Sequence, residues 1–210
     1  MNRTGKFIRG LVCTGICALV VGNAMGQNLV LNPGFEIAGA SSSIAADWTV
    51  DTAAGGPVYG VRTNDNPFAG SYNFEAYLAS TGAGPVVQVN QSGIPVVGGT
   101  QYTFSFEADR LSGSAGDSDQ WRILWNAGGD TGYQTYTPGN NAYALTSTTV
   151  TAPAAATSAT IYFHFAGAAA PSLSATIDID NVSLIPEPTT VSLALVGVVG
   201  MLLCLRRRRS

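Results

Sequence analysis

The chain has 210 residues, a formal net charge of −3, ten basic residues against 13 acidic ones, and a single histidine. Seven of the ten basic residues lie at the two chain ends, so the part between them keeps only Arg62, Arg110 and Arg122 against all 13 acidic residues, a net charge of −10. Such a surface repels phosphate backbones, which argues against a nucleic-acid partner and favours cations or neutral sugars.

The first 26 residues read as a secretory signal peptide. Arg3, Lys6 and Arg9 form its basic start, Gly10 to Val21 its short apolar run, and the small residues Gly22, Ala24 and Gly26 its cleavage region. The predicted cut falls before Met25 or Gln27, with the secretion translocon and signal peptidase as the partners implied. Bulky Val12 and Ile16 precede Cys13 and Cys17, which argues against lipidation. The third cysteine, Cys204, is near the other end, so residues 27–185 have no disulfide to form.

Residues 27–185 read as one β domain. Short alternating runs are split by Gly, Pro, Asn, Asp and Ser, and no stretch shows the period of an amphipathic helix. In chain order the predicted strands are 28–32, 48–51, 58–62, 72–78, 86–90, 102–109, 120–126, 144–151, 161–165 and 177–185. About ten short strands in a chain of this size predict an all-β, two-sheet antiparallel sandwich. The stretch Ala152–Ala159 contains Pro153 and reads as a loop between strands.

Side-chain parity sorts the candidates. Phe35 and Trp48 are predicted to fill one end of the core, with Gly34 permitting a turn. Trp121 and Trp125 flank Ile123 with the same parity and read as core. The opposite faces carry Glu75, Tyr77, Glu107, Asp109, Gln120, Arg122, Tyr162 and His164. A pyranose ring stacks its apolar face on aromatics and offers a rim of hydroxyls to carboxylates, amides and guanidinium groups, so these eight are the candidate carbohydrate-binding residues; the other reading is an ordinary polar outer face. Tyr133 and Tyr136, in or beside a Gly-rich loop, form an alternative aromatic site. Asp117-Ser118-Asp119 places two carboxylates in a loop, without the ligand ladder of an EF-hand.

Catalysis is not expected. His164 is the only histidine and sits mid-strand; there is no Gly-x-Ser-x-Gly elbow and no His-x-x-x-His metal pair. Glycan hydrolysis needs only two carboxylates, and Glu75 with Glu107 is the pair a hydrolase would use.

The chain ends on Pro186-Glu187-Pro188, an uncharged apolar run over 189–205, and Arg206-Arg207-Arg208-Arg209. As a helix the run would reach about 25 Å, slightly short of a ~30 Å hydrocarbon core and within the workable range. Arginines directly after it act as a stop-transfer signal. This tripartite end, over 186–210, resembles the PEP-CTERM sorting signal. The resemblance implies handling by an exosortase, anchoring in the inner membrane before processing, and a final place at the cell surface or in an exopolysaccharide or biofilm matrix.

The domain carries a second resemblance. Asn28-Leu29-Val30-Leu31-Asn32-Pro33-Gly34-Phe35-Glu36, then Trp48, Gly70-Ser71-Tyr72, Gly99 to Phe106, Thr149 to Pro153 and Ile179-Asp180-Asn181-Val182-Ser183-Leu184 are similar to carbohydrate-binding modules of families four, nine and twenty-two. The resemblance implies a jelly-roll sandwich of the galactose-binding-domain type. It also implies that Glu36 and Asp180 are brought together, where related modules commonly hold a structural calcium; the alternatives are a hydrogen-bonding Glu36 and a solvated Asp180. The expectation is therefore an exported, non-catalytic carbohydrate-binding protein of the polysaccharide matrix. A structural or adhesive protein of the same fold is the alternative, and a glycan hydrolase the remote one.

Overall fold

The structure, a computed structural model, describes residues 26–53, 58–79, 84–113, 118–167 and 174–188. Residues 1–25, expected to belong to a signal peptide, Asp117, the apolar run 189–205 and Arg206 to Arg209 lie outside them. Among the described residues no helix is long and apolar enough to cross a membrane. Asn28–Ile185 forms one compact unit.

Among the described residues eleven strands make two sheets. One contains β1 (Thr49–Ala53), β4 (Val86–Pro95), β10 (Ser158–Ala166), β6 (Ser118–Trp125) and β7 (Gln134–Thr135), in that order. The other runs β2 (Val58–Thr63), β3 (Asn73–Ala79), β11 (Ser174–Pro186), β5 (Gln101–Ser112), β8 (Gly139–Asn140), with β9 (Ala144–Thr151) also on β5. The pairings are antiparallel apart from the two-residue β5–β8 contact. The Ser105–Ser183 and Ser112–Thr176 hydrogen bonds run in opposite senses along β5 and β11, as antiparallel neighbours require. The fold is an all-β, two-sheet sandwich.

The core lies between the sheets, where period-two alternation sends the large apolar side chains. Val87, Val89, Trp121, Ile123, Ile161, Phe163 and Phe165 come from one sheet; Phe74, Leu78, Tyr102, Phe104, Phe106, Ile177 and Ile179 come from the other. Phe163 lies within 4.9 Å of Phe106, 6.3 Å of Phe104 and 6.4 Å of Trp48, ring centre to ring centre. Trp48 and Phe35 do close one end of the core. Trp121 and Trp125 are buried, as their parity predicted.

The start of the domain departs from expectation. Residues 28–32 form no strand; Leu29 bonds through its N–H to Leu184 O, and Asn28 bonds to Val182 and Leu184. The chain then turns at Asn32 and Phe35, both at positive φ (45° and 56°), so the left-handed positions belong to these residues and not to Gly34. The Asn32 amide explains why this is tolerated. It accepts from Ile37 N and donates to Ile37 O and Ala46 O, replacing backbone pairing with side-chain bonds.

Asp119 corrects the expectation of a loop-borne acidic pair. It lies in β6, faces the core, and forms a salt bridge with Arg110 of β5, tying the sheets together. Tyr136 is also buried, against Phe106, and forms no surface site with Tyr133.

Candidate functional site

Four of the eight candidate carbohydrate-binding residues share one surface. Strand β10 lies between β4 and β6, and the register sets Tyr162 opposite both Asn90 and Arg122, and His164 opposite both Gln88 and Gln120. Their neighbours along each strand are core residues, so these six side chains point together out of the five-stranded sheet. β1 extends the surface, pairing Thr49 with Asn90 and Asp51 with Gln88. The loop after β6 returns over it and delivers Tyr133, whose hydroxyl accepts from Gln88 Nε2 at 3.2 Å.

Arg122 is the centre of this surface. Its guanidinium lies 4.6 Å from the ring centres of both Tyr133 and Tyr162. A planar cation between two aromatic faces is held flat and rigid. Asp130 stands 3.6 Å away, close enough to balance the charge but too far for a good hydrogen bond. Arg122 Nε and His164 Nδ1 are buried and have no hydrogen-bond partner among the described residues. Burial, then the Arg122 charge, lowers the His164 pKa, which favours the neutral ring. The surface therefore presents two tyrosine rings, a neutral imidazole, a fixed guanidinium and amides at Gln88, Asn90 and Gln120. Those are the group types that stack on and hydrogen-bond to sugars.

The other four candidates lie on the six-stranded sheet, away from this surface. Glu75 and Tyr77 are in β3, Glu107 and Asp109 in β5, and β11 separates the two strands. Tyr77 stacks on Tyr59 of β2 at 4.9 Å, with Tyr59 exposed. Glu75, Glu107 and Asp109 are buried. Parity gave each residue its outward direction but did not assign its sheet, so the eight do not form one site. Gln88 and Asn90 were missed, although they alternate with Val87 and Val89 in a predicted strand. Tyr133 reaches the surface through loop geometry, which periodicity does not encode.

Glu36 and Asp180 meet around Gly34. A Cβ built there would stand 3.4 Å from Asp180 Oδ1 and 4.0 Å from Glu36 Oε1. Glu36 Oε1 accepts from the backbone N–H groups of Ser71 and Tyr72, and Asp180 accepts from those of Ala69 and Asn181. Burial first, with the Glu36 charge adding to it, pushes the Asp180 pKa up to about 6. Two acidic groups around a glycine gap fit a calcium ion, provided carbonyls or water complete the six to eight oxygens it takes. Among the described residues no three His, Cys, Asp or Glu side chains converge on one metal position.

Arg62 offers no ligand site despite a depression of about 240 Å³ beside it, lined by Ser42, Thr63, Asn64 and Tyr72. Its guanidinium donates to the carbonyls of Phe35, Ser42 and Glu36 and covers the Tyr72 ring at 3.3 Å. It locks the first loop onto β2.

No protein-family model matches the chain, and no curated protein matches it. Solved structures do. A family 61 carbohydrate-binding module in complex with β-1,4-galactotriose superposes with a TM-score of 0.54 at 18% identity, covering 77% of this chain and 99% of the module. A family 22 xylan-binding domain from Paenibacillus barcinonensis gives 0.51 at 16% identity, covering 79% and 97%. The enzymatically active domain of tailspike protein 4 of bacteriophage CBA120 gives 0.56 at 21% identity over 76% of this chain, which spans 21% of that domain's length. At these identities the likeness shows the fold alone, a two-sheet β-sandwich.

Proposed function

We propose that this chain is a non-catalytic carbohydrate-binding protein whose glycan lies on the outer surface of the five-stranded sheet. The observation that carries this reading is Arg122 held between Tyr133 and Tyr162 amid outward amides. The likeness of the fold to carbohydrate-binding modules supports it. Sugar hydroxyls would take the terminal nitrogens of the partly exposed Arg122 guanidinium as donors, and the tyrosine rings would take the apolar face of a pyranose. Arg122→Ala removes the guanidinium and frees both rings, and Tyr162→Ala removes one wall. Each is expected to weaken glycan affinity tenfold or more, at least ~1.4 kcal/mol, in affinity electrophoresis through soluble polysaccharides. Tyr77→Ala, on the other sheet, is expected to leave it unchanged. Equal loss in all three variants, or in none, would contradict the assignment.

The proposal extends to the ends of the chain. Export by a signal peptide over 1–26, membrane anchoring through 189–205 and exosortase handling at Pro186-Glu187-Pro188 would place the domain 27–185 at the cell surface or in its matrix. Intact Arg206 to Arg209 on mature surface material, read by mass spectrometry, would contradict processing.

Calcium belongs to the same proposal. Glu36 and Asp180 would hold it, and it would tie the first loop to the last strand. At a hundred times its Kd an ion adds about 2.7 kcal/mol, or roughly 5–10 °C in Tm for a domain of this size. Glu36→Gln or Asp180→Asn is expected to remove that increment. A wild-type Tm indifferent to calcium removes the ion from this site.

A second reading, a structural or adhesive matrix protein, is favoured by β9. This eight-residue strand lies at the end of its sheet and carries no charge and no proline, the usual protections of an exposed edge. Sedimentation showing self-association without glycan selectivity would favour it.

A further inference from the structure

Outside the glycan surface the most anomalous chemistry is on the outer face of the six-stranded sheet, under the loop between β2 and β3. Register sets Glu75 opposite Asp178. Asp178 and Asp180 are fully buried, Asp109 is 1% exposed and Glu75 9%. The partners that reach Asp109, Asp178 and Asp180 include the Asn66 amide and the backbone N–H groups of Ala142, Ala69 and Asn181, all of them neutral. Two oxygens in this region are buried with no hydrogen-bond partner among the described residues: Asp178 Oδ1 and Asn73 Oδ1. Asn73 is fully buried and belongs to the same network, since its amide bonds Tyr143 Oη, which bonds the Asn66 carbonyl.

Asn66 marks the place that needs filling. Its Nδ2 lies 3.1 Å from Asp109 Oδ2 and 3.4 Å from Asp178 Oδ2, so both carboxylates border one atom-sized position. An amide dipole there is a weak substitute for a positive charge. A bare buried carboxylate with an unmet oxygen is costly, and it is relieved by a proton or a cation. Two carboxylates, the amide oxygens of Asn66 (after rotation) and Asn73, and water give the all-oxygen set that hard divalent ions take.

We propose that a divalent cation of the calcium type binds between Asp109 and Asp178, beneath the loop carrying Asn66, as a site separate from Glu36 and Asp180. The ion fixes the β2–β3 loop to β11 and β5. The glycan reading is not needed for this site.

The test is calcium titration of the purified full-length chain by calorimetry. Wild type is expected to bind one more Ca²⁺ per chain than Asp178→Asn, within the roughly 0.1–1 mM range of extracellular calcium modules. Glu36→Gln reports the other acidic pair separately. Equal stoichiometry in wild type and Asp178→Asn overturns the proposal, whatever Glu36→Gln does, and so does a folded wild type that binds none. If Asp178→Asn does not fold, Asn66→Gly takes its place. It keeps the positive φ of 53° and loses the amide, and is expected to weaken this binding at least tenfold; an unchanged affinity overturns the proposal.

Discussion

Arg110→Ala is expected to destabilise the domain by about 3–5 kcal/mol, the cost of breaking a buried pair from one side. Asp119 is almost fully buried, with its side chain 1% exposed, while Arg110 retains 22%. The aspartate cannot swing into water when its partner is lost. Arg110 leaves β5 and Asp119 leaves β6, so the pair spans the two sheets at one end of the core, beside buried Tyr136. At roughly 2–4 °C per kcal/mol for a domain of this size, Tm falls by about 10 °C. The double variant Arg110→Met, Asp119→Leu removes both charges and is expected to recover most of the loss, because an apolar pair of similar volume needs no partner. Thermal unfolding of the three proteins checks this. A single variant as stable as wild type would mean that the bridge carries no weight.

The second large effect is on pH. In a chelator, stability is expected to fall between pH 6.5 and 8, and Asp178→Asn to abolish that fall. Asp178 has its folded pKa raised to about 8 by burial first and by Glu75 next, against the Asn66 hydrogen bond, which lowers it. The unfolded chain loses this proton near pH 4. Between those values the folded state holds the extra proton, so stability is present at low pH and drains away as pH rises, by up to ~1.4 kcal/mol per unit. Asp180 acts in the same sense up to about pH 6. His164 acts oppositely: its folded pKa is lowered, so its contribution is lost as pH falls below about 6.5. The window above 6.5 therefore isolates Asp178. Melting curves at pH 6.5, 7.3 and 8 decide it; a flat profile in wild type contradicts the assignment.

Much of the fold was legible because the core obeys period two. The expected strand 144–151 coincides with β9, and the alternation around Phe104 and Phe163 assigns their inward faces correctly. What periodicity omits is which strands become neighbours. Tyr162 and His164 meet Arg122 and Gln120 only because β10 inserts between β4 and β6. Glu75 and Asp109 look equally outward in sequence, yet both are buried, Asp109 under Asn66 and Ala142. Ile177-Asp178-Ile179-Asp180 reads as half core, half solvent, and the solvent half is buried by Asn66 and Ala69 from a loop over a hundred residues earlier. The turn at Asn32 was hidden for a similar reason: a run of apolar residues suggested a strand, while the asparagine side chain took over the backbone's bonding.

Glycan recognition on the outer surface of the five-stranded sheet turns on Arg122 and the two tyrosine rings that hold it. The most direct measurement is a polysaccharide-binding screen of wild type beside Arg122→Ala, with folding confirmed by melting. Selective binding by wild type that Arg122→Ala loses is the predicted result. Binding that survives Arg122→Ala undiminished, or no binding to any polysaccharide by a folded wild-type protein, would contradict it.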